Sequence, residues 1–273
     1  MHTREEKMQA FGRIVDILDE LRVKCPWDRK QTNESLRPNT IEETFELSDA
    51  ILQEDNHNIS KELGDVLLHI LFYAKIGEEK GNFDIVDVIN NLSDKLIYRH
   101  PHVFSTAQVA DAAEVCKQWE MLKTKEKDGN KTVLSGVPVS LPSMIKAYRM
   151  QDKARGVGFD WEEKSQVWDK VQEELGEFRT ELSAMEVAQD DEAKKVATER
   201  AEGELGDYLF SIINAARLYG LNPDTALERT CQKFRRRFTY LEEHTIRQGR
   251  ELKDMTLAEM DAIWDEAKKL ENL

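Results

Sequence analysis

Apolar residues recur at helical spacing through most of the chain. Within 41–52, Ile41, Phe45, Leu47, Ile51 and Leu52 return every three to four residues rather than alternating. The stretches 70–76 and 86–97 behave the same way. Prolines stand only at 26, 38, 101, 138, 142 and 223. Between them, 39–100 and 143–222 are proline-free and rich in Glu, Leu, Ala, Lys and Ile, which favour helix. No run of β-branched residues reads as a strand, so the pattern predicts an all-α protein. His100-Pro-His102 reads as a helix end, because proline rarely continues a helix.

The stretch 123–140 breaks the pattern with charge, Gly129, Gly136, serines and Pro138. It reads as a linker between modules 1–122 and 141–273. The two modules repeat each other. The first carries Glu43-Thr-Phe-Glu46 and then Glu62-Leu-Gly-Asp65, with 15 residues between. The second carries Glu174-Leu-Gly-Glu177 and then Glu204-Leu-Gly-Asp207, with 26 residues between. A basic pair follows each set, Lys95 and Arg99 in one and Lys233 and Arg237 in the other. A Trp-Asp precedes each set, at Trp27-Asp28 and Trp168-Asp169. Shared order and shared Leu-Gly-Asp indicate a duplicated module.

Composition narrows the partners. The 273 residues carry 39 Lys+Arg against 53 Asp+Glu, a net charge of −14. Such a surface repels nucleic-acid polymers and anionic membrane, so a polyanionic ligand needs metal ions or local cationic groups. Mean hydropathy is −0.62, and no window reaches the roughly 18 apolar residues of a spanning helix. The start lacks a signal peptide's apolar stretch. Cys25, Cys116 and Cys231 are far apart and in no ligand spacing, which leads to the expectation of a cytoplasmic protein with structural thiols.

Residues three apart on a helix are neighbours on one face, so Glu174 projects with Glu177, and Glu204 with Asp207. If the two helices pack antiparallel, four carboxylates converge. They must then splay into solvent, take up protons or bind cations. Oxygen ligands without nearby Cys or His favour Mg²⁺, with Mn²⁺ as a substitute, over zinc. A single acidic pair is common on exposed helices and marks nothing by itself. Here the arrangement occurs twice, and apolar runs such as Asp207-Tyr-Leu-Phe-Ser-Ile-Ile flank the acids, where unpaired carboxylates are costly. A substrate drawn to such a site is anionic, most simply a phosphate chain. Lys233 and Arg237, one helical turn apart, suit its oxygens. The glycine inside each Leu-Gly-Asp costs about 1 kcal/mol in a helix, and either a neighbouring helix or a ligand accounts for it. His69 is expected in a core, and His100 and His102 as capping or packing groups. Core packing is likewise the expectation for Trp161, Trp168 and Trp264, although each ring could stack on a base.

The order ExxE, gap, ExxD, then Lys-xxx-Arg resembles the MazG nucleoside triphosphate pyrophosphohydrolases, in the all-α NTP pyrophosphatase superfamily. The resemblance covers nearly the whole chain. It rests on Cys25-Pro-Trp-Asp28, Glu42-Glu-Thr-Phe-Glu46, Glu62-Leu-Gly-Asp65 and Arg99-His-Pro-His-Val-Phe104 in the first half. In the second half it rests on Val167-Trp-Asp-Lys-Val-Gln-Glu-Glu174, Glu204-Leu-Gly-Asp207 and Lys233-Phe-Arg-Arg-Arg-Phe238. The resemblance implies Mg²⁺-dependent hydrolysis of nucleoside triphosphates to monophosphate and pyrophosphate. It implies Glu174, Glu177, Glu204 and Asp207 as metal ligands, and Lys233 and Arg237 as phosphate contacts. Lys170 and Trp264 match further nucleotide-contacting positions. Arg200 stands where a lysine is expected, keeping the charge but not the geometry. Glu173, or any of the four ligands, is a candidate general base. A possible second site in the first module comprises Glu43, Glu46, Glu62, Asp65, Lys95 and Arg99. The resemblance also implies a homodimer in which each module completes a four-helix bundle with its counterpart. The shorter gap of the first module leads to the expectation that the second carries the main activity.

Other readings compete. A di-iron bundle requires Glu-x-x-His pairs, which these acidic motifs lack. A non-enzymatic helical interaction protein would leave the acids merely solvated. A dUTPase-like or phosphoribosyl-ATP-type phosphohydrolase would share the metal site, but two modules and the Cys-Pro-Trp-Asp string argue against it.

Overall fold

The computed structural model describes residues 1–105, 111, 114–115, 118–119, 122–123, 132–245, 247 and 249–270. Cys116 and positions 124–131 of the expected linker lie outside the described residues. Every regular element among the described residues is an α-helix or a short 3₁₀ turn, as the pattern predicts. The chain divides into two compact units, Met1–Ala110 and Asp111–Leu273.

In the first unit, α1 (Arg4–Lys24) opens on a capping box in which Thr3 and Glu6 exchange hydrogen bonds. Helix α2 (Asn33–Leu52) begins at a Thr32 cap and runs through Pro38 in its second turn. It therefore starts well before the proline-free stretch. Helix α3 (Asn56–Glu79) follows after three residues, so α2 and α3 form a helical hairpin. Leu18 of α1, Leu36 of α2 and Leu71, Phe72 and Ile76 of α3 meet in the core, each contributing about 1.5–3 kcal/mol of burial. Gly77 is required where it stands, since a Cβ there would lie 2.7 Å from the Phe83 ring. Buried Arg22 ties α1 to the end of α3 through Glu79 (Nε to Oε1 2.9 Å) and holds the turn at 28–31 through the Asp28 and Gln31 carbonyls.

Helix α4 (Ile85–Arg99) is amphipathic, yet none of its residues is buried. Val86, Ile89, Leu92 and Leu96 all remain exposed in the single chain. The four-residue α5 (Pro101–Phe104) starts at Pro101, and His100 closes α4 with its ring on the Leu96 carbonyl. His69 is buried, as expected, with Nδ1 on the Thr40 hydroxyl at 2.9 Å.

The second unit comprises α6 (Ser143–Gly156), α7 (Gln166–Val187), α8 (Asp191–Leu218), α9 (Pro223–Thr245) and α10 (Leu257–Leu270). Helices α7 and α8 form its most extensive pair, over Val167, Val171 and Ala215 with Tyr208, Ile212 and Leu218 packed against them. The longer gap of this module builds helix, not loop. Beyond Glu177, α7 continues ten residues to Val187, about 15 Å, whereas α2 continues six beyond Glu46, about 9 Å. Trp161 and Trp168 are 38% and 47% exposed, so core packing is not their role. Trp161 lies in the loop before α7, and Trp168, in the first turn of α7, donates its Nε1–H to the Tyr219 hydroxyl.

Candidate carboxylate site

The α7–α8 hairpin gathers Glu174, Glu177 and Glu204, with carboxylate oxygens within 4.8 Å of one another. Glu174 is buried, Glu204 half-buried and Glu177 exposed. Asp207 lies one turn beyond Glu204, exposed and outside that close set. It still acts on the group: burial, then Glu177, Asp207 and Glu174, push the Glu204 carboxyl above its usual range. Lys170 on α7 contacts Glu174 and lies 3.0 Å from Glu173, and hydrogen bonds to these two raise its ammonium well above its ordinary pKa. Glu173 is exposed and points to Lys170. Arg200 is exposed on α8, one turn before Glu204.

Lys233 and Arg237 sit one turn apart on α9, and Arg237 joins an aromatic group. The Arg237 guanidinium lies over the Trp264 ring at 5.9 Å, and Phe234 packs on the same ring at 5.1 Å. Trp264 is carried by α10, whose start is fixed by Thr256 and Glu259. The Glu259 carboxyl is held down to about 2 by the Thr256 backbone N–H and Arg250.

The first unit repeats the pattern with Glu43 from α2 and Glu62 and Asp65 from α3, again within 4.8 Å. Glu46 is exposed and outside the close set. Lys61 pairs with Glu62 at 2.9 Å, yet Glu62 Oε2 is buried with no hydrogen-bond partner. Burial, then Asp65, Glu46 and Glu62, raise the Glu43 carboxyl. On α4, Lys95 is exposed and Arg99 half-buried. A Cβ at Gly64 or Gly206 would meet nothing within 4 Å, so no adjacent helix of the unit explains them.

Both clusters offer hard oxygen ligands, mutually repelling carboxylates and, in the first, an orphaned buried oxygen. This donor set fits a divalent cation. Sequence reasoning missed another feature of the second unit: a cavity of about 530 Å³ lined by Gln151, Phe159, Asp160, Phe210, Asn214 and Arg217 among others. Burial raises the Asp160 carboxyl, but the Arg217 hydrogen bond and the Trp161 N–H outweigh it, leaving the pKa below its usual value. Trp161, singled out for its ring, was the one sequence signal there.

Two helical hairpins, each gathering carboxylates that could hold a hard cation, define an all-α protein. Residues 31–104 match the MazG nucleotide pyrophosphohydrolase domain. Over 269 residues the chain is 38% identical to a nucleoside triphosphate pyrophosphohydrolase from Escherichia coli strain K12, covering 97% of this chain and 99% of that one. It is 39% identical over 261 residues to a nucleoside triphosphate pyrophosphohydrolase/pyrophosphatase MazG from Thermotoga maritima, covering 94% and 95%. It is also 45% identical over 273 residues to the uncharacterized protein YabN of Bacillus subtilis, covering 98% of this chain and 54% of that one. The chain belongs to the MazG family of nucleoside triphosphate pyrophosphohydrolases, hydrolases acting on phosphoanhydride bonds.

Proposed function

We propose that this protein hydrolyses nucleoside triphosphates, ribo or deoxy, at the bond between the α- and β-phosphates, releasing monophosphate and pyrophosphate and so clearing nucleotides from the pool. The observation that carries the reading is the convergence of Glu174, Glu177 and Glu204 within 4.8 Å. Such a group is repulsive unless cations join it. Magnesium held there supplies charge neutralisation of the polyphosphate and acidification of water. Glu174, Glu177, Glu204 and Asp207 hold the cations through carboxylate oxygens, with Mn²⁺ as a substitute. A cluster oxygen not committed to a cation takes the proton of the attacking water. Glu173 is the weaker base, because it is exposed and paired with Lys170. Lys170 and Arg200 would reach phosphate oxygens. Lys233 and Arg237 donate to the departing phosphates, and Trp264 buttresses Arg237.

The first unit, 1–122 in the sequence reading, is weak or regulatory beside 141–273. Its hairpin rises less above the acids, leaving less wall around a nucleotide. The exposed apolar stripe of α4 supports a homodimer, and the net charge of −14 supports a cytoplasmic protein without nucleic-acid or membrane partners.

The test is product analysis with Mg²⁺ and each ribo- and deoxynucleoside triphosphate in turn. Pyrophosphate and monophosphate are expected, and both vanish in EDTA. Glu174→Gln or Glu204→Gln lowers kcat by about 10²-fold or more, whereas Glu62→Gln leaves most turnover. Orthophosphate with diphosphate refutes the assigned bond. No turnover of any nucleotide favours the interaction-protein reading.

A further inference from the structure

The hairpin that carries the first cluster is fastened by polar groups as well as by its core. The Thr40 hydroxyl on α2 lies 2.9 Å from His69 Nδ1 and 2.6 Å from the Tyr73 hydroxyl, both on α3. It also lies 3.0 Å from the Leu36 carbonyl, one turn back on its own helix. A carbonyl only accepts, so the single Thr40 proton goes to Leu36, and the other two neighbours donate to the Thr40 oxygen. Tyr73 does so through its O–H and His69 through Nδ1–H. His69 is buried, and burial holds its pKa below the usual value against the pull of Asp65. The ring is therefore neutral near neutral pH, with its proton on Nδ1.

These contacts stand next to the carboxylates. Thr40 precedes Glu43 by three positions on α2, and His69 follows Asp65 by four on α3. Each is thus one turn from a cluster acid on the same helix face. Glu43, Glu62 and Asp65 repel one another across the two helices, which drives the hairpin apart at this level. The second hairpin is closed differently. When Glu43 is aligned with Glu174 and Asp65 with Asp207, the places of Thr40, His69 and Tyr73 fall to Val171, Ser211 and Ala215. All three are buried. Val171 and Ala215 belong to the apolar core, and Ser211 gives its hydroxyl to the Tyr208 carbonyl of its own helix. We propose that Thr40, His69 and Tyr73 are positioning residues, which fix α2 against α3 so that Glu43 stays with Glu62 and Asp65 and the three acids hold a divalent cation. This rests on the cation reading given under Proposed function, and names what keeps the first cluster assembled against its own repulsion.

The experiment follows Mn²⁺ binding by electron paramagnetic resonance in the full-length protein carrying Glu174→Gln and Glu204→Gln, so that binding reports on the first cluster. In this parent, Thr40→Val removes the shared oxygen at nearly constant volume. It is expected to weaken Mn²⁺ binding about tenfold or more, the scale seen for groups that orient metal ligands. Thr40→Ser returns the hydroxyl and is expected to restore most of the affinity. Ile76→Val, a core change further along α3, is expected to lower the melting temperature and leave Mn²⁺ affinity unchanged. Nitrogen NMR of the wild type is expected to show His69 as the Nδ1–H tautomer, and Thr40→Val to release it to Nε2–H. Mn²⁺ binding by Thr40→Val as tight as the parent's overturns the proposal. So does an equal loss in Ile76→Val, which assigns the effect to stability alone. The Nε2–H tautomer in the wild type overturns it as well, without any variant having to fold. If the wild type binds Mn²⁺ and the parent does not, the first cluster is no cation site and the proposal fails by itself. If neither binds, the cation reading under Proposed function fails and the proposal falls with it.

Discussion

Glu204 lies among other carboxylates, and the consequence is a group whose charged form is disfavoured by its surroundings. Its pKa is raised by burial first and then by Glu177, Asp207 and Glu174. For a carboxyl raised in the fold, stability is fully present below the unfolded value, 4.5, and is lost as pH rises through the folded value. Metal-free protein therefore loses stability from this group on the alkaline side of that range, and Glu43 acts in the same direction in the first unit. Glu204→Gln is expected to melt above the wild type in EDTA near neutral pH. The two should converge as pH falls to about 4, and again when Mg²⁺ is added to the wild type near neutral pH. Thermal melts across that range check this, and a variant that melts lower at every pH contradicts it. The acids themselves were legible in the sequence, because i,i+3 spacing is a local property of a helix. That Glu174, Glu177 and Glu204 close into one set while Asp207 stays outside it was not, because the choice depends on how α7 and α8 are rotated against each other.

At the scale of elements, the site depends on how a helix start is fixed. Helix α10 brings Trp264 against Phe234 and Arg237 of α9, and its first turn is a capping box of Thr256 and Glu259 with Arg250 added. The Glu259 carboxyl is lowered to about 2 by the Thr256 N–H and Arg250. Its contribution is thus present above the unfolded value, 4.5, and disappears as pH falls toward about 2. Thr256→Ala is expected to cost about 1 kcal/mol, read by urea unfolding, and to raise KM for nucleotides more than it lowers kcat. A fall in kcat with unchanged KM would place α10 in the chemistry rather than in binding. Thr256-x-x-Glu259 is visible in the sequence as a helix start, yet nothing local says which ring that helix delivers to which arginine. The α7–α8 hairpin makes the same point. Its long gap was countable, but whether those residues became loop or added helical height was settled by their packing.

For the whole molecule, the unburied stripe on α4 makes a prediction about assembly. Ile89 and Leu92 are 42% and 48% exposed on a helix with no buried residue, a face that a second copy would cover. Ile89→Glu with Leu92→Glu is expected to convert a dimer into a monomer in size-exclusion light scattering, with helix content retained. A wild-type monomer at all concentrations would refute the dimer. What the sequence alone determined was the all-α class and the acidic and basic positions, since period, order and composition are written along the chain. Tertiary structure decided which three acids meet, and it placed Arg237 and Phe234 with Trp264. It also brought Gln151, Asp160, Phe210, Asn214 and Arg217 together around one cavity. Those five come from α6, the turn after it and α8, and although Phe210, Asn214 and Arg217 share a face of α8, no local spacing relates them to Gln151 and Asp160. Their juxtaposition follows from the part-buried Asp160–Arg217 pair and the Gln151 bond to the Phe210 backbone, contacts between residues more than fifty positions apart.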